Sequence, residues 1–99
     1  MPQGPFQTVS LGNANSTALD LTAATVVKAT PGFVVTVSVV ETSSTAGAIY
    51  DATSTTGNTT ANQIAVIPAT VGNYVISFPA KSGIVVDPGT GQTVAISYN

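Results

Sequence analysis

Cysteine and histidine are absent from the 99 residues of this chain. Their absence excludes disulfide frameworks, thiolate nucleophiles and zinc sites built from thiolate or imidazole ligands. It also excludes catalysis that needs an imidazole near neutral pH. Charge is scarce as well, because charged residues make up only 6% of the chain, against about 25% in ordinary globular domains. The fold must therefore be stabilised by packing, and its surface must be largely neutral.

Basic residues are too few to hold a polyanionic partner. The chain has two lysines, no arginine and a formal net charge of −2. Two cations cannot neutralise a useful number of phosphates, so nucleic-acid binding by counterion release is excluded, and so is a polybasic membrane contact. No run of eighteen apolar residues occurs, and the first five residues do not resemble a signal peptide. We therefore expect no membrane span, and synthesis in the cytoplasm.

The residues that are present indicate pleated strands. Hydrophobic residues make up 43% of the chain but aromatic residues only 6%, so the apolar content is mostly valine, isoleucine and alanine. Short apolar runs bounded by Gly, Pro, Asn or Ser predict strands at 7–11, 25–30, 33–41, 48–53, 63–68, 73–78, 83–86 and 92–98. Residues 18–27, the best helical candidate, are interpreted as strand or irregular. The predicted fold is all-β: a small antiparallel β-sandwich or barrel, jelly-roll-like, with about eight short strands.

The chain is predicted to have one domain and one arm. Residues 1–5 contain two prolines and a glycine and are predicted to form an extended N-terminal arm. Residues 6–99 are predicted to form a single β domain, and a chain of 99 residues can bury about 64% of its surface. Residues 53–62 have no apolar side chain except Ala61, which predicts an exposed loop.

Alternation along the strands predicts the core and the turns. The expected core consists of Val35, Val37, Val39, Ile76, Phe78, Val94 and Ile96. Pro31, with its fixed φ, and Gly32, which is able to take positive φ, predict a tight turn. Pro88 and Gly89 predict a type II turn within residues 87–91, and hence a hairpin between the last two strands.

Candidate catalytic and ligand-binding residues do not form a motif. The carboxylates of Asp20, Glu41, Asp51 and Asp87 are not at the spacing of an acid–base pair or a calcium loop, and the favoured interpretation is four separate solvated or capping groups. A cation at an oligomer axis remains an alternative. The glycines at 89 and 91 lack the further residues of a phosphate loop. We expect no enzyme activity, cofactor, metal or small-molecule substrate.

Three tyrosines leave two interpretations open. Tyr50, Tyr74 and Tyr98 lie on three separate predicted strands. Tyrosines so placed usually lie between core and surface with the hydroxyl in water. The alternative is a carbohydrate-stacking platform.

Four segments carry a resemblance to a known group of proteins. They are residues 22–39, Gly-Ala-Ile-Tyr-Asp at 47–51, residues 64–74 and Gly-Ile-Val-Val-Asp-Pro-Gly-Thr-Gly-Gln-Thr-Val-Ala-Ile-Ser-Tyr at 83–98. In these segments the chain resembles small virion proteins of tailed bacteriophages and prophages, a group similar to head decoration (cement) proteins. The matching motifs are strands and turns, and residues 1–21 have no counterpart in the resemblance.

The resemblance implies a viral structural protein. It implies a β-rich unit that binds the major capsid protein on the outside of the phage head as a homotrimer, stabilises the shell, and is made in the host cytoplasm. The expected capsid contact is the arm and the residue after it: Pro2, Gln3, Gly4, Pro5 and Phe6. The alternative is a head-fibre or tail-fibre module with glycan or receptor binding, and a small hydrolase with paired carboxylates is the least favoured reading.

Overall fold

The computed structural model describes residues 16–99, which form eight strands and one short 3₁₀ helix. The strands are β1 (Ser16–Leu21), β2 (Thr25–Lys28), β3 (Gly32–Glu41), β4 (Gly47–Tyr50), β5 (Gln63–Ile67), β6 (Gly72–Ala80), β7 (Ile84–Asp87) and β8 (Thr93–Tyr98). The 3₁₀ helix η1 (Thr60–Asn62) precedes β5. The predicted all-β fold is confirmed. The predicted strand at 7–11 and the arm at 1–5 lie outside the described residues.

The strands form two antiparallel four-stranded sheets, which we call sheet 1 and sheet 2. Sheet 1 has the order β1-β8-β3-β6, and sheet 2 has the order β2-β7-β4-β5. The first strand thus pairs with the last, the second with the seventh, the third with the sixth and the fourth with the fifth. This is the pairing of one long hairpin rolled into two sheets, and it confirms a jelly-roll sandwich.

The core lies between the two sheets and is aliphatic. The buried cluster consists of Leu21, Val34, Val37, Val39, Ile49, Ile67, Ala80, Ile84, Val86, Val94 and Ile96. Tyr74, Ile76 and Tyr98 pack against it and remain partly exposed. Alternation along β3 and β8 places valine and isoleucine side chains on the inner face of sheet 1, because successive side chains of a strand point to opposite faces.

Two of the predicted core residues lie elsewhere. Val35 is buried but stands outside the cluster, because the register of β3 shifts between Val34 and Thr36 and moves the inward positions by one residue. Phe78 is 50% exposed, so its assignment to the core is wrong. It lies on β6, which among the described strands pairs only with β3 and is therefore open along its other edge.

The predicted hairpin at residues 87–91 is wrong. β7 and β8 belong to different sheets, so this connection crosses from one sheet to the other. The turn lies two residues later than predicted: the Gln92 N–H donates to the Gly89 carbonyl at 3.0 Å, and Gly91 rather than Gly89 has positive φ, at 79°. Gly32 likewise does not adopt positive φ. A side chain there would collide with the Asn99 carbonyl oxygen, so close approach explains this glycine.

Candidate interaction surface

The outer face of sheet 1 carries small uncharged side chains. Thr36 pairs with Val75 on one side and with Ser97 on the other, and Thr17 pairs with Ser97. Residues opposite each other in an antiparallel pair point to the same face. In the next row across the sheet, Ser38 pairs with Asn73 on one side and with Ala95 on the other. We call this surface the neutral face; it consists of Thr17, Thr36, Ser38, Asn73, Val75, Ala95 and Ser97.

Hydrogen bonding within the neutral face is local. The Thr36 and Ser97 hydroxyl oxygens are 2.7 Å apart, and the Thr36 N–H donates to the same Ser97 oxygen at 3.2 Å. These hydroxyls partly satisfy each other, which lowers the cost of removing them from water. The seven residues of the neutral face carry no charge; Glu41, which pairs with Thr93, lies on the same side of sheet 1 at its end. The face is therefore suited to packing against another surface.

Exposed apolar side chains accompany the neutral face. Four of the six large exposed hydrophobic residues in the described part of the chain lie on strands of sheet 1: Leu19, Val40, Val75 and Phe78. Their exposed fractions run from 50% to 70%. Phe78 pairs with the core residue Val34 and so points to the inner side of sheet 1. This leaves Leu19, Val40 and Val75 as candidates for an interaction surface.

Two strand irregularities lie beside these exposed side chains. Asp20, next to Leu19, has φ of 58°, and Ser77, next to Phe78, has φ of 52°. Non-glycine residues are uncommon in this left-handed region, and it costs about 1–3 kcal/mol. The register of β1 against β8 shifts between Ala18 and Leu21. Leu19 therefore falls at an interruption of the ladder, which the sequence pattern did not indicate.

Asp51 links the end of β4 to the connection between β6 and β7 and to η1. It directly follows β4, and its carboxylate accepts hydrogen bonds from the N–H groups of Lys81 at 3.0 Å, Ser82 at 2.7 Å and Gly83 at 3.3 Å, in the connection between β6 and β7. Its own N–H donates to the carbonyl of Asn62 in η1 at 2.8 Å. The predicted role of a capping carboxylate fits this arrangement.

The hydrogen bonds explain the acidity of Asp51. Partial burial raises the pKa of its carboxyl group, but the three backbone N–H donors and the positive charge of Lys81 outweigh that effect. The net result is a pKa below the ordinary value of 3.8. This perturbation has a structural cause, so it does not mark a catalytic acid.

The other carboxylates are placed separately. Glu41 accepts a hydrogen bond from the Thr93 hydroxyl at the end of sheet 1, whereas Asp87 lies on the outer face of sheet 2. Within residues 16–99, no three Asp, Glu, His or Cys side chains come together as metal ligands. No helix in that range has the length and apolar character of a membrane span.

The tyrosines do not form one platform. Tyr74 and Tyr98 pack against the core, and the Tyr74 hydroxyl donates to the Thr70 carbonyl at 2.8 Å. Tyr50 is half-buried on sheet 2, beside Asp87. The predicted exposed loop is confirmed at residues 53–57, and it ends in a capping box in which Thr59 and Asn62 bond reciprocally around η1.

The predicted capsid contact, Pro2, Gln3, Gly4, Pro5 and Phe6, lies outside the described residues. Comparison of the chain with protein-family models, with curated proteins and with solved structures gives no match. The class defined by the fold and the surface is therefore a small jelly-roll β-sandwich with one neutral, partly apolar sheet face.

Proposed function

We propose that this protein is a non-enzymatic structural protein of a tailed-phage virion. It decorates the outside of the head as a homotrimer, binds the major capsid protein and stabilises the shell. The observation that carries the proposal is the neutral face of sheet 1 with its exposed apolar side chains. A chain with so little charge has few means of keeping such a surface dispersed in water, so burial in an assembly is favoured.

The proposed mechanism is based on interface area. Three copies around a symmetry axis bury their apolar surfaces against one another, which a closed cyclic arrangement permits without leaving a free interface. Contacts from each subunit to a different capsomer then act together, so that weak individual contacts give firm attachment through effective concentration. Such bridges between capsomers oppose the outward pressure of packaged DNA, and they require no cofactor.

The arm is proposed to make the capsid contact. Pro2 and Pro5 restrict its conformations before binding, which reduces the entropy lost on docking. The arm and the neutral face thus have separate roles: the arm binds the shell, whereas the neutral face binds other copies.

Substitution on the neutral face tests the trimer. Val75→Glu, at a side chain that is 62% exposed, introduces an unpaired charge into the proposed contact and is expected to weaken trimer association by at least about tenfold. Val66→Glu is the matched control, because Val66 is 57% exposed on an edge strand of sheet 2. Sedimentation velocity measures both. A monomeric wild-type protein, or equal weakening by the two substitutions, contradicts the assignment.

Copy number tests the role in the particle. A decoration protein that coats the shell is expected at hundreds of copies in purified virions, measured by quantitative mass spectrometry. A count of a few copies favours the alternative, a head-fibre or tail-fibre module that binds a glycan or receptor. Absence from purified particles overturns both.

A further inference from the structure

The outer face of sheet 2 contains a hollow of about 410 Å³. Its floor is β4, where Ala48 pairs with Asp87 of β7 on one side and with Val66 of β5 on the other. Tyr50, one row along, pairs with Gln63 of β5. The side chain of Ala48 is smaller than those of its neighbours Asp87, Val66 and Tyr50, and the hollow is the space above it. The volume is within the range of about 300–1,000 Å³ for pockets that take small molecules.

Two connections close the end of the hollow opposite Tyr50. One contains Thr45 and Ala46 before β4, and the other contains Pro88, Gly89 and Thr90 after β7. The Thr90 N–H donates to the Thr45 hydroxyl oxygen at 2.9 Å, which joins the two connections.

A buried glutamine holds the connection after β7 in place. Gln92 is 1% exposed; its Oε1 accepts from the Gly89 N–H at 3.0 Å, and its Nε2 donates to the Pro68 carbonyl at 2.8 Å. Gly47 leaves no room for a side chain, because a Cβ there would lie 2.7 Å from the Asp87 carbonyl oxygen and 2.8 Å from Gln92 Oε1. The hollow is therefore preformed, and little ordering entropy is lost when it is filled.

The lining defines the chemistry of an occupant. Among the described residues that line the hollow none is basic, which excludes an anionic ligand, and Asp87 is the single carboxylate, which is too few for a metal site. A carboxylate accepts hydrogen bonds from two neighbouring hydroxyls, and a carboxamide both donates and accepts. A tyrosine ring offers an apolar surface with a polar edge. In the hollow, Asp87 supplies the carboxylate, Gln63 the carboxamide and Tyr50 the ring.

We propose that this hollow binds a neutral saccharide residue. Asp87 accepts hydrogen bonds from adjacent hydroxyls, Gln63 bonds the opposite side of the ring, and the apolar face of the sugar packs on Tyr50. A second hollow of about 390 Å³ shares Gln63 and Val66 with the first and continues over β5, so a linked second residue has room to bind. The site belongs to sheet 2 and does not depend on the proposed capsid role.

Titration of the ¹⁵N-labelled full-length protein tests the site. The probes are the methyl glycosides of glucose, galactose, mannose, rhamnose and N-acetylglucosamine, together with an array of bacterial surface glycans. We expect at least one glycoside to shift the amide signals of Gly47, Ala48, Asp87 and Gly89. Asp87→Asn is expected to weaken that binding on the order of tenfold, because a charge-assisted hydrogen bond becomes a neutral one. Ala48→Met, which fills the hollow, is expected to abolish it.

Asp20→Asn is the matched control, since it removes an exposed carboxylate on β1, where asparagine accepts the positive φ. It is expected to bind like the wild type. The proposal is overturned if no probe or array glycan binds, or if Asp87→Asn binds as tightly as the wild type. It is also overturned if a cation without hydroxyl groups, tetramethylammonium, shifts these amides and no saccharide does. Occupancy of Asp87→Asn on phage heads separates this site from the decoration role, because a protein that uses the hollow only for sugars decorates normally.

Discussion

Burial of each valine is decided by its place in the ladder. Val34, Val37 and Val39 on β3 are at most 1% exposed, whereas Val75 on the neighbouring strand β6 is 62% exposed. Val75 pairs with Thr36 and so lies on the outer face of sheet 1. The same side chain therefore stabilises the fold at one position and is available for assembly at another.

Truncation of these valines measures the difference. Val37→Ala removes two buried methyl groups and leaves a cavity, so we expect the free energy of unfolding to fall by about 1–3 kcal/mol. Val75→Ala is the control and is expected to change it by less than about 0.5 kcal/mol, because the side chain is exposed in the single chain. Equilibrium urea denaturation at a concentration where the protein is monomeric gives both values. Equal losses would contradict the core assignment.

The connections between strands, rather than the strands, hold the polar groups that fix the sandwich. Asp51 bonds the backbone of the β6–β7 connection, and the Gln92 side chain joins the β7–β8 connection to Pro68, directly after β5. In a jelly roll most connections cross between sheets, so their backbone groups cannot all be satisfied by ladder pairing. Side chains with several acceptors or donors take that role.

Stability against pH tests the role of Asp51. Its pKa is lowered by folding, so the stabilisation is fully present above the ordinary value of 3.8 and is lost as pH falls through the lower folded pKa. We expect Asp51→Asn to be less stable than the wild type by about 1–2 kcal/mol at neutral pH. The gap should narrow below pH 3.8, as followed by urea denaturation at several pH values. Asp20→Asn should match the wild type at neutral pH, and a gap for Asp51→Asn that is independent of pH would be the contrary result.

At the scale of the whole molecule, the low charge and the neutral face favour a role within an assembly. One sheet carries the neutral face, which is proposed to bind other copies, and the opposite sheet carries the hollow above Ala48. The two surfaces lie on opposite sides of the sandwich, so one can be covered while the other stays accessible. This division favours a protein that is built into a particle and still exposes a binding surface.

Deletion of residues 1–5 tests the arm. Prolines cannot donate to a ladder, so the arm is not expected to contribute to a central strand or to the core. We expect an unchanged melting temperature and a reduced occupancy on undecorated phage heads, measured by quantitative gel analysis of re-isolated particles. Full occupancy would remove the arm from the capsid contact, and a collapsed melting temperature would place it in the fold.

Local pattern predicted most strand positions. The strands predicted at 33–41, 63–68 and 92–98 are observed at Gly32–Glu41, Gln63–Ile67 and Thr93–Tyr98. Alternation and turn residues act over a few neighbouring positions, so they are readable without the fold. The same alternation placed Val37 and Val39 in the core, as observed.

The sequence by itself determined the all-β class, the neutral composition and the aliphatic core. Only the tertiary structure decided which strands pair, and hence that residues 87–91 cross between sheets and that Phe78 is half exposed. It also brought Asp51 to Lys81, thirty residues away, and Tyr50 to Asp87. The physical reason is the separation in sequence between the residues that interact. Strand formation depends on adjacent residues, whereas sheet order and surface sites depend on contacts between segments far apart in the chain. Local propensities do not specify those contacts.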